Sequence, residues 1–114
     1  MLLNVDTVLL DLKGKPIQTP ISNTDPQNPQ LEDFTLGAAI IGAMMMQIEE
    51  DRSADGKSKL SLYRIAQAVS VGGEVEFSTE ELAEIKKRVG KGYTPLVVGA
   101  IYDMIDPPKK KDAE

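Results

Sequence analysis

The sequence predicts an α+β fold, mainly α, with an N-terminal β-hairpin followed by a small bundle of about four helices. Three observations carry this. Residues Val5 to Leu12 are dense in Val, Thr and Leu, and Ile17-Gln18-Thr19 follows them across Lys13-Gly14-Lys15-Pro16, the pattern of two strands around a glycine turn. Farther on, Leu62, Ile65, Ala66 and Val69 recur at the spacing of one helix face. Ser78-Thr79-Glu80-Glu81 is a capping box, in which Ser78 and Glu81 satisfy each other's backbone amides, with Phe77 and Leu82 placed as the hydrophobic staple. A chain of 114 residues has room for one domain. The pattern divides it into a hairpin (residues 1–19), a Pro-rich linker (20–34), a helical domain (35–106) and a charged tail (107–114).

Each element has its own local signals. Pro16 has no N–H for a ladder, so the second hairpin arm is expected to be short and to lie at an edge. An isolated hairpin is marginal and must pack on something else. From Pro20 to Asp33 the chain is rich in Pro, Asn, Gln, Asp and Ser without an apolar period, as expected of an extended connection: either a flexible tether or an exposed peptide that a partner grips. Thr35 is placed to cap a helix that runs through Leu36 to Ile48 and ends near Glu50. That helix is apolar nearly all round, so it is either enclosed by its own neighbours or half covered by a second chain. Gly37 and Gly42 weaken it unless they allow a close backbone approach. Met44, Met45 and Met46 point in three directions, which makes this stretch the best interface candidate: Leu36, Ile40, Ile41, Met44, Met45, Met46 and Ile48.

A second helix is expected from about Lys57 to Val69, with Tyr63 on the border of its stripe and Gly72-Gly73 as its stop. Glu74-Val75-Glu76-Phe77 alternates like a short extended piece. The third helix buries Leu82, Ile85 and Val89, has Glu80, Glu81 and Glu84 early and Lys86, Lys87 and Arg88 late to match its dipole, and meets a stop at Gly90. Thr94-Pro95 opens a fourth helix that runs to about Asp106, with Leu96, Val97, Ala100, Ile101, Met104 and Ile105 on a wide apolar face before Pro107-Pro108. The lysine-rich end, residues 109–114, reads as a solvated tail.

Composition narrows the chemistry. The chain has no cysteine, which removes disulfides and thiolate sites, and no histidine, which removes the commonest general base and zinc ligand. With 13 basic and 18 acidic residues the net charge is −5, which repels a phosphate backbone. The first residues lack a basic segment, and the longest apolar run, residues 36–46, is far short of the ~20 that span a bilayer. A soluble, cytoplasmic protein is expected, with no membrane partner.

The motifs that carry chemistry elsewhere are incomplete. Asp51-Arg52-Ser53-Ala54-Asp55-Gly56 copies the first half of a calcium loop, but Leu62 stands where the closing glutamate belongs, so a turn with Asp55 as helix cap is the better reading. Residues 70–81 also resemble such a loop in their last positions, yet Ser70, Gly72 and Glu74 fall where the first ligands belong. Gly90-Lys91-Gly92 follows no strand and is not a nucleotide fingerprint. Glu49, Glu50 and Asp51 are adjacent and diverge by about 100° each on a helix, so they do not converge for acid–base work. Lys86, Lys87, Arg88 and Lys91 with Tyr93 could meet a nucleic acid, but the neighbouring glutamates and the overall charge argue against it. No catalytic, cofactor or metal residues emerge.

Leu62-Tyr63-Arg64-Ile65-Ala66, Val75-Glu76-Phe77-Ser78 and the run from Ile85 through Gly90-Lys91-Gly92-Tyr93-Thr94-Pro95 to Ile105 resemble small uncharacterised proteins encoded by tailed bacteriophages and prophages. The resemblance covers about the last 55 residues, leaves out the hairpin and linker, and implies a context in the host bacterial cytoplasm. The expected function is a non-enzymatic protein–protein interaction module that binds a protein partner or self-associates as a homo-oligomer, without a cofactor. The alternative is a virion component or a chaperone of tail assembly.

Overall fold

A computed structural model describes residues 1–20, 27 and 30–105, except for the side chains at positions 20 and 50. The fold is α+β and mainly α. In chain order the elements are β1 (Leu2–Asn4), β2 (Gln18–Pro20), β3 (Leu31–Asp33), α1 (Leu36–Met45), a 3₁₀ turn (Glu49–Arg52), α2 (Gly56–Ser70), β4 (Glu74–Glu76), α3 (Thr79–Gly92) and α4 (Pro95–Ile105).

The N-terminal turn forms where the glycine predicts it, with Gly14 at φ 81°. Asp11 holds it together: its N–H donates to the Lys15 carbonyl at 2.7 Å, its carbonyl accepts from Gly14 at 3.0 Å, and its carboxylate accepts from the N–H groups of Lys13 and Lys15 at 2.8 and 3.0 Å. The arms, however, make no continuous ladder. Leu10 and Pro16 form an isolated bridge, as expected where a proline withholds its donor. Regular antiparallel pairing lies to either side of it. Gln18 of β2 faces Asp33 of β3, and Leu2 and Asn4 of β1 face Glu76 and Glu74 of β4. Linker composition therefore continues into a strand: residues 31–33 pair with 18–20 although Asp and Glu are poor strand formers, and all three side chains of β3 stay exposed. The tether or gripped-peptide reading now falls on residues 21–26, 28 and 29, outside the described ones.

Three segments meet at one point. The Leu9 N–H donates to the Phe34 carbonyl at 2.8 Å, Phe34 to Ile17 at 2.7 Å, and Ile17 back to Leu9 at 2.8 Å, which closes a ring of backbone hydrogen bonds. Leu9 is fully buried at this hub.

α1 starts as expected, with the Thr35 hydroxyl accepting from Ala38 at 3.1 Å. Its apolar girth is covered by its own chain on the flanks where α2 and α3 pack, and Met45 is left exposed. Both glycines serve close approach. The Gly37 N–H donates to the Val5 carbonyl at 2.7 Å, and a Cβ at Gly42 would stand 2.5 Å from the Tyr93 hydroxyl, which itself donates to the Ala39 carbonyl at 2.9 Å. Replacing Gly42 with Ala is expected to destabilise the fold by about 1–3 kcal/mol in denaturant titration, although Ala is the better helix former. A Tyr93→Phe background, which removes the clashing oxygen, should recover part of that loss.

The expected continuation of this helix to Ile48 and Glu50 does not occur. Met46 leaves at ψ 146°, and the Ile48 N–H is taken at 2.9 Å by the Asp51 carboxylate, which starts the 3₁₀ turn instead. α2 then opens on Asp55, whose carboxylate accepts from the Ser58 N–H at 2.8 Å, and it buries Ile65, Ala66 and Val69. Gly72 and Gly73, at φ 85° and 75°, turn the chain into β4. The capping box of α3 is complete: Ser78 N–H to Glu81 at 2.8 Å and Glu81 N–H to the Ser78 hydroxyl at 3.1 Å. α3 passes through the expected stop at Gly90 and ends at Gly92, with Tyr93 as its cap. Gly90 is needed for closeness instead, since the Tyr102 hydroxyl, bonded to the Lys86 carbonyl at 2.7 Å, would lie 3.0 Å from a Cβ there. In α4, Val97, Ile101 and Ile105 are buried, whereas Leu96 is exposed.

Candidate functional site

The most constrained polar residue is Arg88, on α3 and 2 % exposed. Sequence periodicity places it among the basic residues that complement the helix dipole, but the buried stripe of Ile85 and Val89 carries it inward. One guanidinium nitrogen donates to the Asp51 carboxylate at 3.0 Å and to the Met46 carbonyl at 3.1 Å, a second pairs with the other Asp51 oxygen, and Nε donates to Glu84 at 2.7 Å. These bonds tie α3 to the end of α1 and to the 3₁₀ turn. The hydrogen bond from Arg88, aided by that from the Ile48 N–H, holds the Asp51 carboxyl below its ordinary range against the opposing effect of burial. Among the described residues no buried side-chain nitrogen or oxygen lacks a partner.

α2 and α3 lie on α1 without packing closely on each other, and a cleft of about 610 Å³ opens between them. Leu62 and Ile65 give it an apolar wall, Asp51 and Arg88 close one part, and Glu80, Glu81 and Glu84 line the α3 side. Glu84 is bonded to Arg88 and lies 3.3 Å from Lys87, and Glu81 is engaged in the capping box. The carboxylates nearest the buried pair thus act as struts.

On the other side of Leu62 a second hollow, of about 370 Å³, runs between the end of α1 and α2, lined by Met45, Met46, Gln47, Lys59 and Tyr63 among others. This locates the residues expected at an interface. Leu36, Ile40, Met44 and Ile48 are buried within this chain, although Met44 also borders this hollow. The reason is that neighbouring helices cover α1 on its flanks. Ile41 and Met46 are half-buried, and Met45 is 54 % exposed. Tyr63, 50 % exposed, joins them from α2. Its position on the border of the α2 stripe is the one sequence signal for it; the partnership of Asp51 with Arg88 has no local signal beyond the Glu84–Arg88 spacing of one helical turn.

The half-motif of a calcium loop is occupied by structure, because Asp51 serves Arg88 and Ile48, and Asp55 caps α2. Among the described residues no group of three or more His, Cys, Asp or Glu side chains is placed to hold a metal. Nor do the basic residues of α3 form one face, since Arg88 is buried, while Tyr93 packs edge-on against Phe34 with ring centres 6.0 Å apart. No helix among the described residues is long and apolar enough to cross a membrane. No protein-family model matches the chain, and no curated protein or solved structure shows significant similarity to it.

Proposed function

We propose that the chain is a small non-enzymatic protein-binding module of a bacteriophage or prophage, acting in the cytoplasm of the bacterial host. It binds an apolar segment of a partner protein in the hollow between α1 and α2. The observation that carries this is the cluster of exposed Met45, half-buried Met46 and half-exposed Tyr63 around a concave surface. Methionine and tyrosine are enriched in interface cores, and the unbranched thioether adapts to the shape of its partner. The polar rim of Gln47 and Lys59 fits an interface better than a site for chemistry. The phage context is carried by the resemblance of the C-terminal half alone.

Met45→Glu tests the reading. The substituted side chain is solvent-accessible, so thermal stability should stay within about 0.5 kcal/mol of wild type. A protein captured from host or infected lysate by wild type, and equally by the exposed-site control Val71→Glu, should be lost with Met45→Glu. Equal capture by all three proteins would exclude the groove as the contact. The second reading, a virion subunit or assembly chaperone, is favoured by a different feature: the N-terminal turn presents Leu12 at 95 % exposure.

A further inference from the structure

We propose that Met45 is an oxidation-sensitive switch on the hollow between α1 and α2: a peroxide converts its thioether to the sulfoxide, and the hollow then releases its apolar partner. The chain has no cysteine, so sulfur oxidation falls on its five methionines, and three of them, Met44, Met45 and Met46, line this one hollow. Their surroundings grade them. Met44 is 3 % exposed and sheltered in the core, whereas Met45 is 54 % exposed. Met46 is half-buried and held twice: its carbonyl accepts from Arg88 at 3.1 Å, and its Sδ and Cε fill the space that a Cβ at Gly92 would need. One thioether of the three is therefore open to a dissolved oxidant, while the other two are packed against their own chain.

The step balances with hydrogen peroxide as the oxidant. The Met45 sulfur attacks one peroxide oxygen, the O–O bond breaks, an S–O bond forms, and the second oxygen leaves as water, so sulfur loses the two electrons that the peroxide gains. A methionine sulfoxide reductase, with a dithiol as electron donor, returns the thioether and releases the oxygen as water. The sulfoxide changes what the hollow offers. Its oxygen is a hydrogen-bond acceptor on a surface shared with Leu62 and Tyr63, and an apolar segment of a partner brings no donor to satisfy it. The fold is spared, because the Met45 side chain already stands in solvent. Met1, 45 % exposed, reacts as well, but it does not line the hollow. Met104 is half-buried on α4. This rests on the reading of the hollow as the partner's site and adds its regulation.

The purified chain is treated with hydrogen peroxide and quenched, and the oxidation of each methionine is followed by tandem mass spectrometry. Met45 should be oxidised several-fold faster than Met44, Met46 or Met104, with an unchanged circular-dichroism spectrum. Gly92→Ala should displace only the far end of the flexible Met46 side chain, so the variant should fold and its Met46 oxidation rate should rise toward that of Met45. The partly oxidised wild type is then mixed with host or infected lysate, and the bound and unbound chains are compared. Met45 sulfoxide should be about tenfold depleted in the bound fraction, while Met1 sulfoxide divides equally, and treatment with the reductase should restore capture. A Met45 that reacts no faster than Met44, Met46 and Met104, a Met46 unaffected by Gly92→Ala, or Met45 sulfoxide equally abundant in both fractions would each overturn the switch and leave the groove reading standing. Capture that is absent from untreated wild type, or that survives Met45→Glu, sinks the groove reading and the switch with it.

Discussion

Arg88→Met is expected to destabilise the protein by about 3–5 kcal/mol, because it leaves the Asp51 carboxylate buried without its cation. The loss should greatly exceed that of any surface substitution and should appear as a lower midpoint in urea with little change in slope. Removing both charges, as Arg88→Met with Asp51→Leu, should recover much of it, although the Ile48 N–H then lacks its acceptor. The pair also sets a pH dependence. Asp51 has a folded pKa below its unfolded value of about 3.9, so its contribution is fully present above that value and is lost as pH falls through the lower, folded one. The deficit of Arg88→Met relative to wild type should therefore shrink in acid, where the stranded carboxylate takes up a proton. A deficit of the same size at pH 7 and pH 3 would contradict this account.

Leu9→Ala is the second large effect, about 2–5 kcal/mol. Leu9 is fully buried where three segments exchange backbone hydrogen bonds, and a cavity there has polar main chain on its border. The whole fold is expected to hold about 5–15 kcal/mol for a domain of this size, so the variant should show a clearly depressed melting temperature. Hydrogen exchange adds a local readout. The amides of Leu9, Ile17 and Phe34 should lose protection together in the variant, since each donates to the next around the ring.

What could be read from the sequence follows the range over which each signal acts. Asp55 and Ser78 act within one turn of their helices, and both cap as their patterns predict. Ile65, Ala66 and Val69 of α2 and Ile85 and Val89 of α3 are buried as the helical period predicts, while Leu62 and Leu82 at the ends of the stripes are only half-buried. Strand pairing is different. Nothing local in Leu2–Asn4 points to Glu74–Glu76, and the glycine turn suggests a nearer partner for the first strand. The end of α1 is hidden for the same reason: Met46 and Gln47 are tolerable in a helix, and only the distant Arg88, drawing Asp51 and the Met46 carbonyl toward it, turns the chain off the axis. The interface candidates divide accordingly. Composition shows an all-apolar helix, but Leu36, Ile40, Met44 and Ile48 are assigned to the core by neighbours that periodicity within α1 does not reveal, and Met45 is left facing outward.

The pairing of β1 with β4 has a consequence for how the chain is made. The amino group of Met1 donates to the carbonyl of Phe77, 76 positions later in sequence. At ordinary rates of synthesis the first strand waits about 4–15 s for its partner to leave the ribosome. During that interval α1 and α2, neighbours in sequence, can already pack on each other, while the first residues find no edge on which to settle. Closing so long a loop is entropically slower than joining two adjacent helices, so the small sheet is expected to act as a latch that seats after α1 and α2 have met.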